Sequence, residues 1–276
     1  MTRISLIALL LALPACIGTQ IGSGTAVTVD KDVEGTTTFV NSTFVDVFVQ
    51  PGADGSRLEL TCDDNLIDNL VADLNEDGEL ELRVVDGQNL MPRSDCTATL
   101  EVPLLTSLSQ NGSGQIHVEG DLPELESVQS SGSGSIEVHG ITPAVSSVRA
   151  QGSGGVFLTG ITACSLSVDT SGSGESILDG LAVCDLDVRT SGSGSVVLEG
   201  TAERIIARVS GSGAVGNEAM VVQTADVDVS GSGDVELTVT ESLRARLSGS
   251  GDAIIHGNPA DRDVNTTGSG DVEFAN

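Results

Sequence analysis

Residues 131–154 read SGSGSIEVHGITPAVSSVRAQGSG and contain one triplet, Gly-Ser-Gly, twice, twenty residues apart. Glycine is the costliest residue to order, so a run of it means either disorder or a backbone shape that other residues cannot take. Spacing decides between the two. Triplets begin at Gly112, Gly132, Gly152, Gly172, Gly192, Gly211, Gly231, Gly249 and Gly268, at intervals of 20, 20, 20, 20, 19, 20, 18 and 19 residues. A flexible linker has biased composition without a fixed period, whereas a period of this length marks a solenoid. The words between triplets, such as SIEVHG, SVVLEG and DVELTV, alternate apolar and polar residues as strands do.

Each repeat divides into columns. Four residues before each triplet stand Leu108, Val128, Val148, Val168, Val188, Ala207, Val227, Ala245 and Val264. Four after its first glycine come Ile116, Ile136, Val156, Ser176, Val196, Val215, Val235, Ala253 and Val272. Two further on lie Val118, Val138, Leu158, Leu178, Leu198, Asn217, Leu237, Ile255 and Phe274. Alternation sends all three columns to the interior. Such coils, with tight corners and several short strands, describe an all-β parallel β-helix of about 20 residues per coil. Nine of them stacked at about 4.8 Å make a rod roughly 40 Å long. The residue before each triplet (Asn111, Ser131, Gln151, Ser171, Ser191, Ser210, Ser230, Ser248, Thr267) carries a hydroxyl or an amide, so a polar ladder at the corner is expected.

The first residues carry a different signal. MTRISLIALLLALPAC holds one basic residue, Arg3, and an apolar run from Ile4 to Leu13, too short for a stable membrane span and suited to a secretory signal. Leu13-Pro14-Ala15-Cys16 resembles the bacterial lipobox, which implies cleavage after residue 15 and lipidation of Cys16. An ordinary signal peptide with a chance cysteine is the plain alternative. No aspartate follows Cys16, so the outer membrane is the expected address in a diderm cell. Residues 16–35 read as a lipidated cysteine and tether leading into a first strand. Residues 36–110 read as irregular, larger coils continuous with the regular repeats of 111–276. NEDG at Asn75–Gly78 signals a tight turn, and DDNLIDNL is the one stretch with a helical tendency.

The order of words beyond residue 36 resembles a family. Phe39-x-x-Ser42-x-Phe44-x-Asp46-Val47, then Asp64-Asn65-Leu66, then Gly78-Glu79-Leu80-x-Leu82, then the Gly-Ser-Gly-x-Ile coils are similar to the bacterial "putative auto-transporter adhesin, head GIN domain" family. The resemblance covers roughly residues 36–276. It implies a right-handed parallel β-helix in an exported, often lipid-anchored protein. It implies no activity, cofactor or catalytic residue.

Charge and composition bound the function. A net charge of −28 with a single lysine, Lys31, disfavours nucleic acid, which needs clustered bases. Acidity is spread over the chain, with 17 acids and 4 bases in residues 22–110 and 23 acids and 7 bases in 111–276. Such charge keeps an exposed strand stack soluble. Sugar-cleaving sites favour aromatic platforms, and there is no Trp, no Tyr and only five Phe, of which Phe44 and Phe48 read as core. Acidic pairs such as Asp63 and Asp64 arise by chance among 40 acids. No Gly-x-Ser-x-Gly elbow and no phosphate-loop lysine accompanies the triplets. Asp234, Asp252 and Asp271 follow their triplets directly and form a weak candidate cation ladder, at about twice the period of calcium-binding nonapeptides. His117, His139 and His256 make no ligand set and are expected to be exposed.

Four cysteines follow Cys16. Cys62 alternates with Leu58 and Leu60, and Cys96 with Ala98 and Leu100, so both should face inward. Cys164 and Cys184 alternate with Leu166 and Leu186, twenty residues apart, and should adjoin on neighbouring coils. Export favours the bonds Cys62–Cys96 and Cys164–Cys184, and a buried thiol ladder is the alternative. The reading is a non-enzymatic envelope lipoprotein displaying an acidic rod to an unknown protein or polysaccharide. An envelope scaffold or signalling accessory without external ligand is the alternative. No cofactor, nucleic acid or small-molecule substrate is expected.

Overall fold

The computed structural model describes residues 18–275, and the leader with Cys16 lies outside them. Parallel strands stack in the register that the triplet spacing demands. Leu108 pairs with Val128, Val128 with Val148, Val148 with Val168 and Val168 with Val188, and the column continues through Ala207, Val227 and Ala245. All of these side chains are fully buried. Strands after the triplet stack likewise, Ile116 on Ile136 on Val156 on Ser176. The core is thus a set of parallel columns, each one side chain per coil, and the fold is a β-solenoid.

The inward assignments of Val264, Asn217, Phe44 and Phe48 fail, each for a local reason. Val264 is 41% exposed, because its strand lies on the far side of the last buried layer. Arg262 stands opposite Leu243 in a column otherwise held by core residues, and its guanidinium lies 3.9 Å over the Phe274 ring. That contact covers the apolar columns with a charge that still reaches water. Asn217 is only partly buried, because the register breaks between Val215 and Met220, where Gly216 has a positive φ, and burial resumes at Met220 opposite Gly200. Phe44 and Phe48 are not core. Val45, Val47 and Val49 hold the inward parity, which leaves Phe44 half-buried and Phe48 45% exposed.

The irregular region does not stack in chain order. Ser107–Gln110 pairs with Thr38–Asn41, and Ile116 with Val47, so residues 38–51 form the coil directly beneath the first triplet coil. The excursion between them folds back below: Glu79–Val84 pairs with Thr38–Asn41, and Thr97–Val102 with Asp46–Pro51. Antiparallel strands then close this end. Ala26–Asp32 lies on Arg57–Asp63, which lies on Thr97–Val102, and Leu70–Leu74 forms a hairpin with Glu79–Val84. An open edge of parallel strands would invite pairing with other chains, and antiparallel strands cover it here. The NEDG turn joins that hairpin, and the helical tendency of DDNLIDNL amounts to one 3₁₀ turn, Ile67–Asn69. Residues from Gly18 onward are no tether, since Gly18–Ile21 is already a strand, paired in parallel with Gln88–Met91.

At the corner, polar groups work at two depths. Outside, Ser131 donates to Asn111 Oδ1 at 2.8 Å, and the hydroxyls of Ser210, Ser230, Ser248 and Thr267 reach carbonyls of the preceding coil at 3.4–3.5 Å. Inside, two residues before the triplet, a buried column runs through Asn41, Gln110, Ser130, Ala150, Thr170 and Thr190, polar at every place but Ala150. Asn41 Nδ2 donates to the Val45 carbonyl at 2.8 Å, Ser130 Oγ to that of Gly134 at 2.9 Å, and Thr170 meets Ser176 at 3.0 Å. Further along, the same column turns apolar at Val209, Val229 and Leu247.

Candidate functional site

With a core this uniform, function is sought on the outward columns. Every arginine of residues 111–276 lies in the strand segment leading into a triplet: Arg149, Arg189, Arg204, Arg208, Arg244, Arg246 and Arg262. These arginines are interspersed with carboxylates along the stack, although Arg189 and Arg208 are direct neighbours in one column. Arg208 meets Asp187 at 3.1 Å, Arg246 meets Asp226 and Asp228 at 3.6 and 3.4 Å, and Arg244 meets Asp263 at 3.5 Å. This ladder of exposed pairs contributes little stability per pair but balances the charge of one face. Beside it, Arg149, Gln151, Ser171, Arg189, Ser210 and Asp228 line a shallow groove of about 510 Å³. The strand segments between each triplet and the following corner carry no arginine or lysine, and their charged side chains are carboxylates, so the late coils have one mixed face and one acidic face.

The acidic face contains the predicted aspartate ladder, and its chemistry is backbone capping. Asp234 Oδ1 accepts the Asp252 N–H at 2.8 Å, and Asp252 Oδ1 accepts the Asp271 N–H at 2.8 Å. Asp46 does the same for Gln115 at 2.9 Å. Each carboxylate thus holds the amide of the coil above. Among the described residues no three such ligand groups converge on one point. His139 is exposed, but His117 and His256 are half-buried, paired with Glu137 at 3.3 Å and Glu236 at 2.8 Å across neighbouring coils.

Asp63 and Asp64 part company. Asp64 accepts the Ser23 hydroxyl at the surface, whereas Asp63 is fully buried. The Asp63 carboxylate accepts backbone N–H groups of Gly24 at 2.7 Å, Arg93 at 2.7 Å and Ser94 at 3.3 Å. Burial pushes its titration upward, but these amides outweigh that and hold the carboxyl below its usual range. Asp63 is therefore a knot tying three chain segments. Because its folded pKa is depressed, its contribution is present above the unfolded value of about 3.9 and is lost as pH falls through the folded value. Asp63→Asn places an amide nitrogen against amide donors. Thermal melts should show the variant less stable at neutral pH, with the gap to wild type narrowing on acidification below about pH 4. A gap that is constant down to strong acid would remove Asp63 from this role.

Cys62 and Cys96 are joined as a disulfide, with Cα atoms 4.3 Å apart and both residues buried. Cys164 and Cys184 do adjoin, since Ser165 pairs with Asp185 and the Asp185 N–H bonds the Cys164 carbonyl at 2.9 Å. They do not face inward. Both are free thiols, Cys164 exposed and Cys184 half-buried, because the chain turns a corner there and alternation begins only at Leu166. A hydrogen bond with Cys164, then burial, pushes the Cys184 thiol up.

The pattern that defines one bacterial family, described as "Putative auto-transporter adhesin, head GIN domain", matches residues 37–163 and again 122–259. The chain belongs to that family. Two overlapping matches accord with the long run of late coils. Several crystal structures resemble this chain in fold. A "putative lipid binding protein" from Parabacteroides distasonis is 21% identical over 94% of this chain and 100% of its own, with a TM-score of 0.70. A "putative adhesin" from Parabacteroides merdae is 17% identical over 94% of this chain and 99% of its own, with a TM-score of 0.69. Another "putative adhesin" from Parabacteroides distasonis is 19% identical over 94% and 100%, with a TM-score of 0.68. These likenesses establish the shared fold. None of them is named as an enzyme. No curated protein matches the sequence.

Proposed function

We propose that this protein is an exported, non-enzymatic surface-interaction module, held to the outer membrane by lipid on Cys16. The observation that carries the reading is the division of labour in each coil. Inward columns repeat the same few apolar residues, while outward columns build one mixed arginine–aspartate face between Arg149 and Asp263 and, on the segments after the triplets, a face whose charged residues are acidic. A rigid core with long, chemically distinct faces suits display to an extended partner. The adhesin names carried by the family and by solved relatives support this reading.

Cys16→Ser should leave unprocessed or released protein in cell fractionation. Normal maturation and membrane retention of that variant would end the lipoprotein reading. Cells lacking the protein should lose adherence to matrix or to neighbouring cells, and the Cys16→Ser strain should lose it equally. Unchanged adherence in both strains would instead favour an envelope scaffold without an external ligand.

A further inference from the structure

Chain length places the anchor directly against the folded body. Only Ile17 separates Cys16 from Gly18, where the strand Gly18–Ile21 begins. Two residues of extended chain reach at most about 7 Å. Lipid on Cys16 therefore brings the bilayer to the strand pair Gly18–Ile21 and Gln88–Met91, with no slack to hold it elsewhere.

That strand pair is uncharged and exposes apolar side chains on both strands. Neither GTQI nor QNLM carries a charge, in a chain of net −28. Ile21 and Met91 are register partners and are 54% and 55% exposed. Leu90 beside them is buried, so the pair already has an inward face and the two exposed side chains are surplus to it. Arg93 follows close behind, exposed; its backbone N–H is held by Asp63, but its guanidinium forms no ion pair among the described residues, whereas Arg57 and Arg83 of the same region are each ion-paired. Exposed apolar side chains beside an uncommitted cation, within reach of an acylated residue, match the chemistry of a phospholipid surface.

We propose that this strand pair is a membrane-contact surface, with Ile21 and Met91 entering the boundary between lipid headgroups and acyl chains and Arg93 meeting lipid phosphates. The proposal rests on lipidation of Cys16. Two side chains are too little to bind a bilayer alone, so they orient the protein while the acyl chains retain it. The contact belongs to the end closed by antiparallel strands.

The test uses lipidated full-length protein in vesicles of phosphatidylethanolamine and phosphatidylglycerol. Met91→Cys in a Cys164→Ser, Cys184→Ser background receives an environment-sensitive fluorophore, and Ser250→Cys in the same background serves as reference. Emission from position 91 should shift to the blue and be quenched by spin labels on acyl chains, while position 250 responds only to aqueous quenchers. An aqueous signal at position 91 on protein whose acylation is confirmed by mass overturns this inference and leaves the lipoprotein reading intact. A blue-shifted label shielded from both quenchers means that protein covers the patch, which also overturns it. An unmodified Cys16 on mature protein overturns both.

Discussion

Gly134→Ala is expected to destabilise the protein by more than about 3 kcal/mol, a loss of roughly ten degrees in Tm for a chain of this size. A β-carbon at Gly134 would lie 1.8 Å from the carbonyl oxygen of Gly114 in the coil below, and 2.8 Å from Gln110 Nε2. The same collision recurs along the stack, at 1.8 Å for Gly154 on Gly134 and 1.9 Å for Gly174 on Gly154. Gly134 does not have a positive φ, so conformational freedom is not what the position requires. Close approach of backbone to backbone is. Because the obstacle is main chain and not a flexible side chain, relief would have to come from moving a coil. Ser133→Ala, at the exposed centre of the same triplet, should change stability by no more than about 0.5 kcal/mol. The pair of melts tests the corner: a Gly134→Ala protein that melts with wild type would mean that the coils are not packed at this distance.

Deletion of residues 152–171 should give a folded, shortened rod, and deletion of residues 152–161 should give insoluble protein. The longer deletion joins Gln151 to Gly172 and so restores a triplet where one was removed. Leading strand falls on leading strand and following strand on following strand, and the loss is one coil and one interface. The shorter deletion keeps the inward–outward parity, because ten is even, yet it removes half a circuit. Strands with different column contents then meet, and no corner stands where the chain must turn. Circular dichroism and melting of the two purified proteins separate the outcomes. Comparable damage from both would argue against coil-by-coil stacking.

Much of the fold was legible in the sequence, because a solenoid writes its tertiary contacts as local periodicity. The interval between triplets is the length of one circuit, so the partner of Val128 could be counted out as Val148 without any knowledge of the third dimension. Parity between corners separated core from surface for the same reason. The adjacency of Cys164 and Cys184 followed from counting too. Their direction did not, since a corner interrupts parity and nothing in the chain marks the residue at which alternation resumes.

Where the period lapses, only tertiary structure decides. Residues 52–106 return beneath the coil that precedes them in the chain, and the pairing of Ser107 with Thr38 spans an excursion with no repeat to count. Asp63 looks like any other acid in the sequence. Its role comes from three amides delivered by segments some thirty and forty residues away, a convergence that follows from the antiparallel closure of this end. The exposed pair Ile21 and Met91 is likewise made by two strands seventy residues apart. The triplet itself divides between the two levels. Its period was enough to name a corner, but the reason for glycine there, a carbonyl oxygen of the next coil 1.8 Å from where a β-carbon would stand, exists only once the coils are stacked.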